Sequence, residues 1–311
     1  MPPLAIVIRI LANPMANVLQ KQLTQRSAHP VFIIAAVHAA LAVICLPYLL
    51  IPGALHLSAG VWTNMVVAAL LAVGGNVLLV YALSETDLSI LGPINAYKSV
   101  VSLILAVFLI GERPTPMGLV GVLLIVAGSY FVIDREVHQP LSPSTMIETN
   151  PERRRRDSNA FLRFFNKRGI QLRFAALFLS ATEAIFLKRA IVQSSPVVVF
   201  VLWSGLGFAI ALVWALVTLR RELRDQFVVL QKARGTFALL AVATGAMQLA
   251  TVLTFRNLQV GYSLALFQLS TIVSVLLGRR YFAETNIGQR LVGSIVMAAG
   301  AALIVLFGHR N

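Results

Sequence analysis

The sequence predicts an all-α membrane protein of ten transmembrane helices, arranged as two inverted five-helix repeats. Three observations carry that prediction. The 311 residues are 58% hydrophobic and only 12% charged, where a soluble domain carries about 25% charged residues. Ten apolar runs approach the roughly 20 residues that cross a bilayer as helix. One sequence block recurs 172 positions downstream.

The runs lie at 4–22, 30–51, 60–83, 88–110 and 116–133, and then at 171–191, 197–219, 236–254, 262–277 and 286–307. Most connections between them are short, which leaves no room for a soluble catalytic domain, and backbone groups in lipid are satisfied only by helix or closed barrel. The first run holds Arg9 and continues into "NVLQKQL" without a small-residue cleavage pattern, so it reads as a span and not as a signal peptide. Cys45, in the second run, is the only cysteine, so no disulfide forms within the chain. The organisation expected is a first repeat at 1–133, a hydrophilic basic linker at 134–170 and a second repeat at 171–311. Within the linker, Phe161, Phe164 and Phe165 interleave with Arg163, Lys167 and Arg168, a pattern open to two readings: a membrane-surface segment or a solvated tether.

The net charge of +14 does not point to nucleic acid. The basic residues cluster in loops beside the spans, where anionic head groups and the positive-inside rule account for them.

The duplication is read from "VSLILAVFLIGERPTPMGLVGVLLIVAG" against "VSVLLGRRYFAETNIGQRLVGSIVMAAG", where nine of 28 columns are identical. Glu112 matches Glu284, Gly121 matches Gly293 and Gly128 matches Gly300. An odd number of spans per copy makes the second copy cross in the opposite sense, a recurring plan for secondary transporters with a site near the midplane. The glycines of each pair are seven residues apart, on one helix face, which suits close helix packing. Glu112 and Glu284 fall at span ends, within reach of interfacial water or the first turn of the next helix.

These two blocks, "GERPTPMGLVGVLLIVAG" and "AETNIGQRLVGSIVMAAG", resemble the EamA type of the drug/metabolite transporter superfamily. The resemblance extends over the two-times-five arrangement. It implies transport and leaves the substrate open, because the shared motifs sit in the scaffold.

Charge inside the spans locates a candidate site, because an ionisable residue at the bilayer centre costs about 2.5 to 3.5 kcal/mol. Lys98 is ten residues into the fourth run and Glu183 twelve into the sixth, which at 1.5 Å per residue places both near the midplane. They belong to different repeats, so two roles are open. Either they form a structural ion pair that holds the halves together, or Lys98 attracts an anionic group while Glu183 carries a proton. His38, eight residues into the second run, is a second candidate for proton coupling. Asn76 and Gln248 correspond under the 172 shift, and Asn17, Asn95, Tyr97 and Gln268 extend the polar set expected to bind substrate. Asn13, Ser99 and Ser270 accompany them, and Pro14 and Pro93 loosen the helices that carry them. Arg9, only five residues into its run, and Lys188 and Arg189, at the end of theirs, are placed to snorkel to the surface.

Lys and Arg concentrate on the face that holds the loops after spans one, three, five, seven and nine, which by the positive-inside rule puts both termini outside. The family resemblance implies termini in the cytoplasm. No phosphate-binding loop, metal-spaced Cys and His cluster or nucleophile elbow occurs, so no cofactor and no enzymatic activity are expected. The expected activity is secondary transport of a small polar metabolite, amino-acid-like or anion-bearing, by alternating access with proton coupling or exchange. A lipid-carrier flippase or a non-transporting membrane subunit are the alternatives. The expected partners are that small molecule and the lipid bilayer, in a monomer or homodimer of a multi-pass inner-membrane protein.

Overall fold

Local capping chemistry sets the helix boundaries in the computed structural model, which describes residues 2–101, 104, 115–133, 165–258 and 260–307. The first repeat gives α1 (Pro2–Gln25), α2 (Pro30–Leu49), α3 (Ala59–Glu85), α4 (Leu88–Ile94) and α5 (Pro116–Ile133). The second gives α6 (Arg168–Gln193), α7 (Pro196–Thr218), the surface helix α8 (Leu223–Lys232), α9 (Arg234–Asn257), α10 (Val260–Phe267), α11 (Ser270–Phe282) and α12 (Ile287–Phe307). Ser58 caps α3 by accepting from the Val61 amide, and Ser195 caps α7 by accepting from Val198. Proline opens α2 and α7, where its missing N–H costs no helical bond. α8 is amphipathic, with Asp225 in its first turn and Lys232 in its last, complementing the helix dipole.

The chain is a multi-pass membrane protein: seven helices, α1, α2, α3, α6, α7, α9 and α12, are each long and apolar enough to cross a bilayer. Ten single membrane helices are not seen among the described residues, which leave out much of the fourth run. α5 is a shorter apolar helix, and the fourth and ninth runs are interrupted. In the fourth, α4 ends at Ile94 and helical backbone resumes at Tyr97 after a turn at Asn95 and Ala96. The ninth breaks at Gln268 and Leu269, between α10 and α11. At both places the bonds tighten to a three-residue spacing: Lys98 N–H donates to Asn95 O at 3.0 Å, and Thr271 N–H to Gln268 O at 2.9 Å. Pro93 lies two residues before the first break, and the second break forms with no proline near it. α6 begins at Arg168, three residues before the expected start of its span. Glu112, the rest of the fourth run and linker residues 134–164 lie outside the described residues.

The packing partners have two-fold order. α3 packs on α6 as α9 packs on α1, while α2 meets α7, α4 meets α11 and α5 meets α12. The repeated glycines make the last contact close: a Cβ on Gly121 would lie 2.7 Å from the Gly300 carbonyl oxygen, and one on Gly293 2.6 Å from that of Gly128. The two backbones therefore meet directly, the small-residue packing expected between membrane helices.

Glu284 has a scaffold role. Its Oε1 accepts from the Leu88 amide at 2.8 Å and its Oε2 from the Ser89 amide at 2.9 Å, so the carboxylate of one repeat caps α4 of the other. Lys21 Nζ, at 3.2 Å, and Arg290 Nη1, at 3.7 Å, neutralise it, and Arg290 also pairs with Asp87 at 3.1 Å. The sequence left Glu284 to interfacial water or the first turn of the next helix; the structure aims it instead at α4, in the other half of the chain. Burial alone would raise the Glu284 pKa, but the Ser89 hydroxyl and amide, the Lys21 charge and the Leu88 amide outweigh it, and the net shift is downward.

Candidate functional site

Between the two sets of helices lies a cavity of about 110 Å³. Its polar lining comes from both repeats: Arg9, Asn13 and Asn17 on α1, Asn76 on α3, Asn95 and Lys98 around the first helix break. The second repeat supplies Arg173, Ser180 and Glu183 on α6, Trp203 on α7, Gln248 and Thr251 on α9, and Gln268 at the second break. Helical spacing explains why each element presents several groups to one place. Arg9, Asn13 and Asn17 recur every fourth residue, and Arg173, Ala176, Ser180, Glu183 and Leu187 recur at alternating intervals of three and four.

One hydrogen-bond chain ties α6 to both breaks. Arg173 Nη2 donates to Asn95 Oδ1 at 2.9 Å, and Asn95 Nδ2 donates to Gln268 Oε1 at 3.3 Å. Glu183 Oε1 accepts from the Trp203 indole N–H at 3.2 Å. No ion pair among the described residues includes Lys98 or Glu183.

Of the residues singled out from sequence, Lys98, Asn95, Asn76, Gln248, Gln268, Asn17 and Glu183 line this cavity. Tyr97 and His38 do not. Tyr97 turns away because it sits three residues before Val100 and two after Asn95 on a helical turn: its hydroxyl donates to Ser129 Oγ at 3.0 Å and its ring packs edge-on to Phe174. His38 is 2% exposed and packs on Trp203 with the rings tilted at 45° and their centroids 4.4 Å apart, in the space left by Gly207. It lies behind Trp203, outside the cavity lining. Arg9 is corrected in the opposite sense. It does not snorkel: its Nε donates to Thr251 Oγ1 at 2.8 Å and its guanidinium lies 4.9 Å from the Phe267 ring centroid. Lys188 does stay near its helix end, donating to the backbone carbonyls of Phe255 and Leu258, and Arg189 is exposed.

Arg173 was not anticipated, because counting the sixth span from residue 171 makes it look like a flanking charge. The signal was its place on the same helical stripe as Glu183, three turns away. Among the described residues no cluster of His, Cys, Asp and Glu is able to hold a metal ion.

Comparison with known proteins adds three findings. Residues 6–134 match the model of the EamA-like transporter family. Comparison with curated proteins gives no match. A solved structure titled "Crystal structure of protein" superposes over 100% of both chains with a TM-score of 0.56 and 16% identity, a likeness of fold.

Proposed function

Taking as premise that residues 6–134 match the EamA-like transporter family, we infer that the chain is a secondary transporter for a small polar metabolite. The observation that carries this reading is the central cavity lined from both repeats, with Asn95 and Gln268 at the breaks of two discontinuous helices. Interrupted helices at a repeat interface are how many transporters build a polar site at membrane depth. Alternating access follows from rocking one set of five spans against the other, and the inverted sense of the repeats relates the two end states. Lys98 attracts the solute, and Glu183 exchanges a proton or is released by the solute. A structural Lys98 and Glu183 pair is the second reading: the two charges attract each other across the cavity without closing to ion-pair distance.

The test is counterflow in liposomes preloaded with pooled metabolites and containing the purified protein. Accelerated exchange of at least one water-soluble metabolite supports transport. Exchange of a labelled lipid carrier with none of the soluble pool supports the flippase, and no flux of either supports a non-transporting subunit.

A further inference from the structure

The cavity is a hydrogen-bond donor site with surplus positive charge. Its described lining holds three cationic side chains, Arg9, Lys98 and Arg173, against one carboxylate, Glu183. Three N–H-bearing atoms on lining residues are buried without an acceptor, Arg9 Nη1, Arg173 Nε and Gln268 Nε2, and one end of the Gln248 amide is buried without a partner as well. Buried polar groups are normally paired, so these unpaired groups, at least three of them donors, leave a set of contacts around one cavity for a ligand to complete. Gln248 is 5% exposed, Gln268 1% and Arg173 7%, so solvent at the surface does not satisfy them.

The chemistry of the chain through the breaks fixes the amide orientations. Arginine only donates, so Asn95 must turn Oδ1 to Arg173, and Asn95 Nδ2 is left to donate to Gln268 Oε1. Gln268 thereby has its carbonyl occupied and only its Nε2 hydrogens free. The relay converts an amide that accepts as readily as it donates into a donor. Meanwhile Glu183, the one anionic acceptor, is engaged by Trp203.

Resting on the transport reading above, we propose that the solute is a small dianion rich in acceptor oxygens, a dicarboxylate or a phosphate monoester, rather than a zwitterionic amino acid. A dianion neutralises the formal surplus of two positive charges, and its oxygens match both the guanidinium donors and the amide donors. An ammonium group would find only Glu183 as an anionic partner. The space of about 110 Å³ accommodates on the order of ten water-sized positions, which suits a solute of three or four carbons.

The experiment measures binding and flux separately on the purified full chain, with succinate, glycerol 3-phosphate, leucine and chloride at equal ionic strength. Calorimetric affinity for at least one dianion should exceed that for leucine and chloride about tenfold or more. Gln268→Glu, which replaces the free donor by a carboxylate of similar size, and Lys98→Gln should each weaken it about tenfold. Monodisperse elution of both variants keeps the comparison valid, and the loss must appear in at least one that elutes so. Tighter binding of leucine overturns the dianion and leaves transport standing. Dianion binding without flux supports the site and overturns transport. Binding of none of the four probes, or undiminished dianion binding in the eluting variants, overturns the proposal.

Discussion

Asn95 and Gln268, 173 positions apart in the chain, meet at 3.3 Å where two apolar helical runs are each interrupted by a turn. The bond joins the breaks, and Arg173 extends it to α6. Replacing Asn95 by Leu removes both bonds and leaves the Arg173 guanidinium short of an acceptor. The expected outcome is loss of flux in liposomes by about tenfold or more, with a fall in Tm corresponding to roughly 1 to 3 kcal/mol from the unpaired buried donor. Asn95→Asp keeps the acceptor for Arg173 and is expected to retain more stability than Asn95→Leu, as read by thermal unfolding in detergent.

Acid should loosen the contact between repeats through Glu284. Its folded-state pKa lies below the ordinary carboxylate value of about 4.3, so its contribution is present above that value and disappears as pH falls through the folded pKa. Thermal stability of the wild type should therefore drop below about pH 4, and Glu284→Gln should flatten that part of the profile while lowering stability at neutral pH by roughly 3 kcal/mol, the cost of leaving Lys21 and Arg290 without their buried partner.

The crossing of α5 on α12 should not tolerate side chains. Gly300→Val brings a Cβ to within 2.6 Å of the Gly121 carbonyl oxygen and 2.9 Å of Leu124 Cβ. Overpacking of this kind costs about 1 to 3 kcal/mol, visible as a lower Tm. Because α5 and α12 do not line the cavity, the substrate affinity of the folded fraction should be unchanged.

His38 should be silent in proton coupling. It packs behind Trp203 and does not reach the cavity, so His38→Leu is expected to leave the pH dependence of flux in place. Glu183→Gln should remove that dependence if the cycle is proton-linked. A pH profile that moves with His38→Leu and not with Glu183→Gln would reverse the two roles.

Much of this was legible in the sequence, for physical reasons. Membrane length and apolarity are properties of single segments, so the long helices could be read directly. Depth along a helix is a count, so Lys98 and Glu183 could be placed near one level. Azimuth was harder. Tyr97 and Asn95 are two residues apart, which on a helical turn puts them on nearly opposite sides, about 160° apart, and only one of them lines the cavity. Arg9 was misjudged because depth was weighed without its stripe: Asn13 and Asn17, at four-residue spacing, already marked that face as polar. Pro93 lies near the first helix break, but nothing comparable marks Gln268 and Leu269, where the helix is interrupted with no proline in the turn. Glu284 could be recognised as duplicated scaffold, yet its target on α4 is a tertiary contact that local spacing does not encode.

The central claim is that the cavity charges serve a passing solute and do not merely hold the helices together. Its most direct test is Lys98→Ala measured for flux and for thermal unfolding in the same liposome preparation. The account predicts that exchange of the transported solute is abolished while the unfolding temperature stays close to that of the wild type. Normal exchange combined with a clearly lower unfolding temperature would contradict it and make Lys98 a structural residue.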